Sequence, residues 1–179
     1  MFDADAVVIK RCLRAALALI SVLTCDSIAA QPSTTAQATR TYASAQFEFS
    51  FDYPASWRVQ ERSASGSALL SLKLLSHDED IDVLRERSPG SFAVEVFANP
   101  RQLELREWLD EHGWPFGEAD RSVTATSIGG RPALEIATGK MFAPNRFIYV
   151  GAHGVIVRLA PLAAQSPAIL RSFRFEPER

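Results

Sequence analysis

FEFSFDYPASW, residues 47–57, is the stretch from which the fold of this chain can be read. Phe47, Phe49, Phe51 and Tyr53 alternate with Glu48, Ser50 and Asp52. Strand side chains point to opposite faces with a period of two, so this alternation predicts a strand with four aromatics on one face and polar groups on the other. Pro54 cannot donate to a β ladder and should end the strand. Trp57, so soon afterwards, predicts that the chain turns back into the core. The stretch is therefore an anchor for folding, and any chemistry is expected elsewhere.

Upstream, residues 31–46 (QPSTTAQATRTYASAQ) are rich in Ser, Thr, Ala and Gln without periodic apolar residues, the composition of a flexible tether. Residues 1–30 resemble a secretory signal peptide: Lys10, Arg11 and Arg14 form a basic region, residues 15–24 are mostly apolar, and Ser27 to Ala30 supplies small residues for cleavage before Gln31. Asp3 and Asp5 are unusual in such a basic region and suggest a start codon further downstream. A lipoprotein signal is the alternative, with a lipid anchor at Cys25, although Thr24 stands where Gly, Ala or Ser is usual. The apolar run is shorter than the roughly 20 residues a spanning helix needs, and nothing later is a candidate transmembrane span. Both cysteines, Cys12 and Cys25, fall in the leader, so no disulfide, thiol nucleophile or Cys-ligated metal is expected in the domain. From Gln31 onward 16 Lys and Arg stand against 18 Asp and Glu, a net charge of −2, which is no electrostatic footprint for nucleic acid or an anionic membrane.

Downstream, further strands are predicted over residues 57–60, 68–75 and 91–99, with a charged loop over 76–90. Residues 100–113 predict a helix: Asn99 suits the N-cap, Pro100 the first position and Gly113 a left-handed end. Leu105, Trp108, Leu109 and His112 should form its buried face. Residues 121–128 and 132–140 are strands joined across Gly129-Gly130, and 146–150 and 155–160 are strands joined across residues 151–154. Ser166-Pro167 begins a short second helix with Ile169, Leu170 and Phe173 inward. The predicted class is α+β, a mainly antiparallel sheet flanked by a few helices, in one domain over residues 47–176.

With these elements in order, YPASW, the IGGRPALEI hairpin, the paired strands RFIYV and GVIVRLA, and the closing ILRSFRF resemble the PsbP-like fold family. The resemblance covers residues 47–175. It implies an antiparallel sheet flanked by helices and a binding or assembly role without chemistry of its own. Members include an extrinsic subunit of the photosystem II oxygen-evolving complex, a Ran-binding nuclear protein and many exported bacterial proteins. No functional motif matches residue by residue, so the resemblance assigns no site.

The histidines are the first candidates for chemistry. His77 stands beside Asp78, Glu79, Asp80 and Asp82, a spacing like the start of a calcium loop, but Val83 stands where Gly is required and Pro89 where the bidentate Glu belongs. No metal site is expected there. His112 reads as a packing or helix-end residue, and His153, in a hairpin turn, as solvent-exposed. Signatures of serine hydrolases, HExxH metalloproteases and phosphate-binding loops are lacking, so no cofactor is expected. The carboxylates to consider for acid–base work are Glu95 and Glu135, both in predicted strands. Trp114 and Phe116 after the main helix, and Met141, Phe142 and Pro144 between the hairpins, are apolar residues in connections and are the candidate binding residues; capping of the core is the competing reading. The sequence thus points to a non-catalytic exported binding or assembly module of the cell envelope with an envelope protein as partner. The alternatives are a cofactor-free hydrolase using carboxylates in a cleft, or a carrier of a small apolar ligand between sheet and helix.

Overall fold

The computed structural model describes residues 37–62, 66–76, 91–140 and 144–176. The expected leader with its cleavage site, Cys25, the acidic loop from His77 to Asp82, Met141 and Phe142 lie outside these residues. Ten strands and two helices follow in the order β1 (Thr39–Ser44), β2 (Phe49–Pro54), β3 (Arg58–Arg62), β4 (Ala68–Leu75), β5 (Phe92–Ala98), α1 (Leu105–His112), β6 (Arg121–Ile128), β7 (Arg131–Thr138), β8 (Arg146–Ala152), β9 (Val155–Pro161), α2 (Ser166–Ser172) and β10 (Arg174–Phe175). Every pairing is antiparallel. A seven-stranded sheet has the order β3-β4-β5-β9-β8-β7-β6, and a three-stranded sheet the order β1-β2-β10. The class is α+β.

The registers sort the large sheet into two faces. Leu70, Leu72 and Leu74 of β4 lie opposite Val96, Val94 and Phe92 of β5, and Val94 and Val96 lie opposite Leu159 and Val157 of β9, so these side chains share one face. On that face they meet the aromatics of β2, Trp57, and Ile169 and Phe173 from the end of α2. Phe47, Phe49, Phe51 and Tyr53 are all buried, as their alternation predicts, and Trp57 is 4% exposed. Phe51 stacks on Phe173 with centroids 5.0 Å apart. Ser172 fastens α2 to this strand, accepting from the Asp52 amide at 2.8 Å and donating to the Ile169 carbonyl at 2.8 Å. On the opposite face, Leu134, Ile136, Tyr149 and Ile156 pack with Trp108 and Leu109 of α1.

Residues 39–44, expected in a flexible tether, instead form β1 on the edge of β2. The segment has no apolar periodicity to reveal a strand, but Thr39, Thr41 and Tyr42 suit one, and pairing with β2 places the Tyr42 ring 5.4 Å from Phe51. The first helix also starts later than Asn99-Pro100 predicts. Asn99 is buried and its side chain is spent on a turn: its oxygen accepts from the Leu103 amide at 2.9 Å and its amide donates to the Leu103 carbonyl at 3.0 Å. Gln102 in this turn has φ 51°, incompatible with a helix. The helix proper begins after Glu104, in a capping box with Glu107, and ends before Gly113. Trp108 and Leu109 are buried as expected, whereas His112 is exposed and lies flat on the Trp108 indole, centroids 4.3 Å apart.

Candidate binding cleft

The β8–β9 hairpin turn reverses through His153 and Gly154, with φ 49° and 71°. Beside it runs the turn from Asn99 to Glu104, held by the Asn99 amide donating to the Gly154 carbonyl at 2.8 Å. Glu48, at the entry to β2, and Arg131, at the start of β7, complete the wall. Together they enclose a partly open cleft of about 650 Å³. Glu48, Gln102 and His153, with φ 53°, 51° and 49°, are the non-glycine residues in left-handed conformation among the described residues, and all three line this cleft. Such a conformation costs a non-glycine residue of order 1–3 kcal/mol and persists only where its surroundings enforce it; it clusters at ligand clamps and active sites. Three in one wall therefore mark a built feature.

His153 is the hub. Its Nδ1 lies 3.0 Å from Glu48 Oε2, and its side chain is only 12% exposed, so the expected solvent-exposed histidine is wrong. Its Nε2 lies 2.9 Å from the Glu176 carbonyl and 3.2 Å from Arg131 Nη2. As an imidazolium it donates to Glu48 and to the Glu176 carbonyl; as a neutral ring it donates to Glu48 and accepts from Arg131. In either form both nitrogens are occupied, which leaves no free basic nitrogen for a substrate proton. The lining contains no Ser, Thr or Cys to serve as nucleophile. Glu104 adds a second carboxylate, and Arg131 a guanidinium that also lies 5.6 Å from the Phe175 ring. The cleft can hold a polar ligand or segment by hydrogen bonds and charge.

The two carboxylates singled out in the sequence are not brought together. Glu95 lies on the α1 face of the large sheet and accepts from Arg158 Nε at 2.7 Å. Arg158 lies 5.1 Å from both the Phe97 and the Phe147 ring. Burial works against the Arg158 charge, yet the Glu95 carboxylate and Tyr149, by charge and hydrogen bonding, together outweigh it and the pKa is pushed up. Burial likewise pushes the adjacent Tyr149 hydroxyl up, with Arg158 opposing. Glu135 lies on the opposite face and pairs with Arg146 at 2.7 Å. A sheet separates the two acids, and each is held by an arginine.

Trp114 and Phe116, beyond α1, are each half-buried against the cluster that contains Trp108 and Tyr149. Trp114 Nε1 donates to Asp110 at 2.7 Å, and the Arg121 guanidinium covers its ring at 4.1 Å. Phe116 lies 5.7 Å from Phe147. The space between helix and sheet, where an apolar cargo would sit, is filled by Trp108, Leu109, Tyr149 and Ile156. Glu48, Gln102 and Arg131 were invisible as site residues in the sequence. The only available signal was the Gly-Ala-His-Gly turn at 151–154, which places a histidine where few side chains tolerate the backbone.

No helix among the described residues is long and apolar enough to cross a membrane, and no group of three or more His, Cys, Asp or Glu among them could hold a metal ion. No protein-family model matches the chain. No curated protein matches it either. Among solved structures, the solution structure of cyanobacterial PsbP (CyanoP) from Synechocystis sp. PCC 6803 is similar, at 12% identity and a TM-score of 0.43, covering 83% of this chain and 99% of that one. This likeness assigns a role to no residue.

Proposed function

We propose that this protein is an exported, non-catalytic binding or assembly module of the cell envelope, and that the cleft around His153 is where it engages its partner. The observation that carries the reading is the convergence of Glu48, Gln102 and His153, each in left-handed backbone, on one polar cavity. Binding fits this cleft better than catalysis, because both nitrogens of His153 are occupied and the lining offers no Ser, Thr or Cys nucleophile. The hydrolase alternative loses its paired carboxylates to the two faces of the sheet. Export rests on the leader-like sequence over residues 1–30. An envelope protein is the partner this reading requires.

The test is quantitative cross-linking and affinity capture from the native envelope with the wild-type protein, the cleft variant Arg131→Ala and the distant surface variant Gln60→Ala. A partner captured by wild type and Gln60→Ala, and lost from a folded Arg131→Ala, is the expected result. Equal capture by all three removes the cleft from the interface. No enrichment over an unrelated domain removes the binding reading itself.

A further inference from the structure

The four outer strand edges of the two sheets differ in how they are guarded. Edge strands offer unpaired N–H and C=O groups to other chains, and charged side chains, Pro or short length normally blunt them. β3 carries Arg58, Glu61 and Arg62 in five residues, β1 carries Arg40, and β10 is two residues long with Arg174. β6 is eight residues long, and from Ser122 to Ser127 it reads SVTATS without a charge or a proline. Ser122, Thr124, Ala125, Thr126 and Ser127 are exposed, and among the described residues no strand lies beyond it.

The phase of its free edge follows from the turn. Gly129 and Gly130, with φ 55° and 78°, make a two-residue turn that closes on the pair Ile128–Arg131. A closing pair of this kind is hydrogen-bonded, so Thr126, Thr124 and Ser122 direct their backbone groups to β7. Ser127, Ala125 and Val123 direct theirs outward. Pro132 opposite Ser127 agrees with this phase, since its missing N–H would point away from β6.

We infer that β6 is a homodimerisation edge, pairing antiparallel with β6 of a second copy about a two-fold axis at Ala125. Axes at Thr124 and at Ala125 both bring outward-bonding residues opposite each other with equal overlap; the axis at Ala125 is favoured because it places two Thr124–Thr126 pairs across the seam against a single Thr124–Thr124 pair. The strand then complements itself: Ala125 faces its own copy, Val123 faces Ser127, Thr124 faces Thr126, and Arg121 faces Gly129. Thr pairs across strands are favourable, and no like charges oppose each other. The contact is isologous and closes, joining two seven-stranded sheets into one. A second copy is the occupant because, in this register, the strand's own reverse sets Thr against Thr on both sides of the axis and opposes no like charges along an edge that carries no charge from Ser122 to Ser127.

Sedimentation equilibrium of the purified protein over a wide concentration range tests the pairing. Wild type should dissociate from dimer to monomer on dilution. Ala125→Pro deletes one outward N–H and spares the β7 ladder, and should be monomeric with an unchanged circular dichroism spectrum. Thr124→Lys/Thr126→Lys sets lysine against lysine and should raise the dissociation constant about tenfold or more, while Thr124→Lys/Thr126→Glu sets lysine against glutamate and should restore association. A wild-type monomer at every concentration overturns the inference. So does a dimer indifferent to the lysine pair, a readout that holds even if Ala125→Pro does not fold.

Discussion

Truncating Phe51 to Ala should cost most of what holds the two sheets together. The ring is 0% exposed and is enclosed by Phe173 at 5.0 Å, Tyr42 at 5.4 Å and Phe92 at 6.3 Å, contributed by the C-terminal end of α2, β1 and β5 respectively. Loss of a buried Phe ring forfeits its transfer energy and leaves a cavity, together about 3–5 kcal/mol. The upper part of that range applies here, because the neighbours belong to two hydrogen-bonded sheets and a helix that cannot close the gap without breaking ladders. A domain of this size has a total stability of about 5–15 kcal/mol, so the variant should be folded but marginal. Urea unfolding followed by tryptophan fluorescence measures it: with a slope of about 2 kcal/mol/M, the midpoint should fall by roughly 2 M at constant slope. A loss below about 1 kcal/mol would mean that the ring is not between the sheets, and would refute this packing.

Burial, aided by the Glu61 charge and hydrogen bond, pushes the Tyr42 hydroxyl up from 10.0 to about 12. The folded state therefore keeps a proton that the unfolded chain has lost, and this contribution, complete below pH 10, declines as pH rises from 10 to about 12. Stability against pH should fall less steeply there in Tyr42→Phe than in wild type; identical slopes would contradict the Tyr42–Glu61 contact. A Cβ on Gly129 would meet the Phe173 carbonyl at 3.0 Å and Phe175 Cδ2 at 2.9 Å, whereas one on Gly130 meets nothing within 4 Å. Both have positive φ, so Gly130→Ala should cost about 1–2 kcal/mol and Gly129→Ala clearly more, read from thermal unfolding; the reverse order would misplace the C-terminal strand. Gln102→Gly relieves a left-handed residue at the cost of chain entropy, so stability should change by no more than about 1 kcal/mol while partner capture weakens. Unaltered capture would mean that the side chain makes no contact with the partner.

Much of the fold was legible because it is written locally. The alternation from Phe47 to Tyr53, the Gly129-Gly130 turn and the apolar face of α1 each follow from a periodicity or a turn residue that acts over a few positions. β1 was not legible, since its strand state comes from pairing with β2 rather than from its own composition. The late start of α1 was hidden because Asn99-Pro100 imitates a helix start while the Asn99 side chain serves Leu103. The cleft was hidden more deeply. Glu48 reads as an ordinary polar-face residue and His153 as a turn tip, and only the meeting of two distant segments makes them a pair. Trp114 and Phe116 were visible as aromatics in a connection, but their half-burial against Arg121, Asp110 and Phe147 depends on how α1 sits on the sheet.

Site-specific photo-cross-linking in the native envelope tests most directly whether the cleft binds. A photoreactive residue replaces Gln102 inside the cleft in one variant and Gln60 on the distant edge strand in another. The cleft position should give one discrete adduct that Arg131→Ala abolishes, and the distant position none. Adducts of equal yield from both positions, or none from position 102 in a folded protein, would contradict binding through the Glu48–His153 cleft.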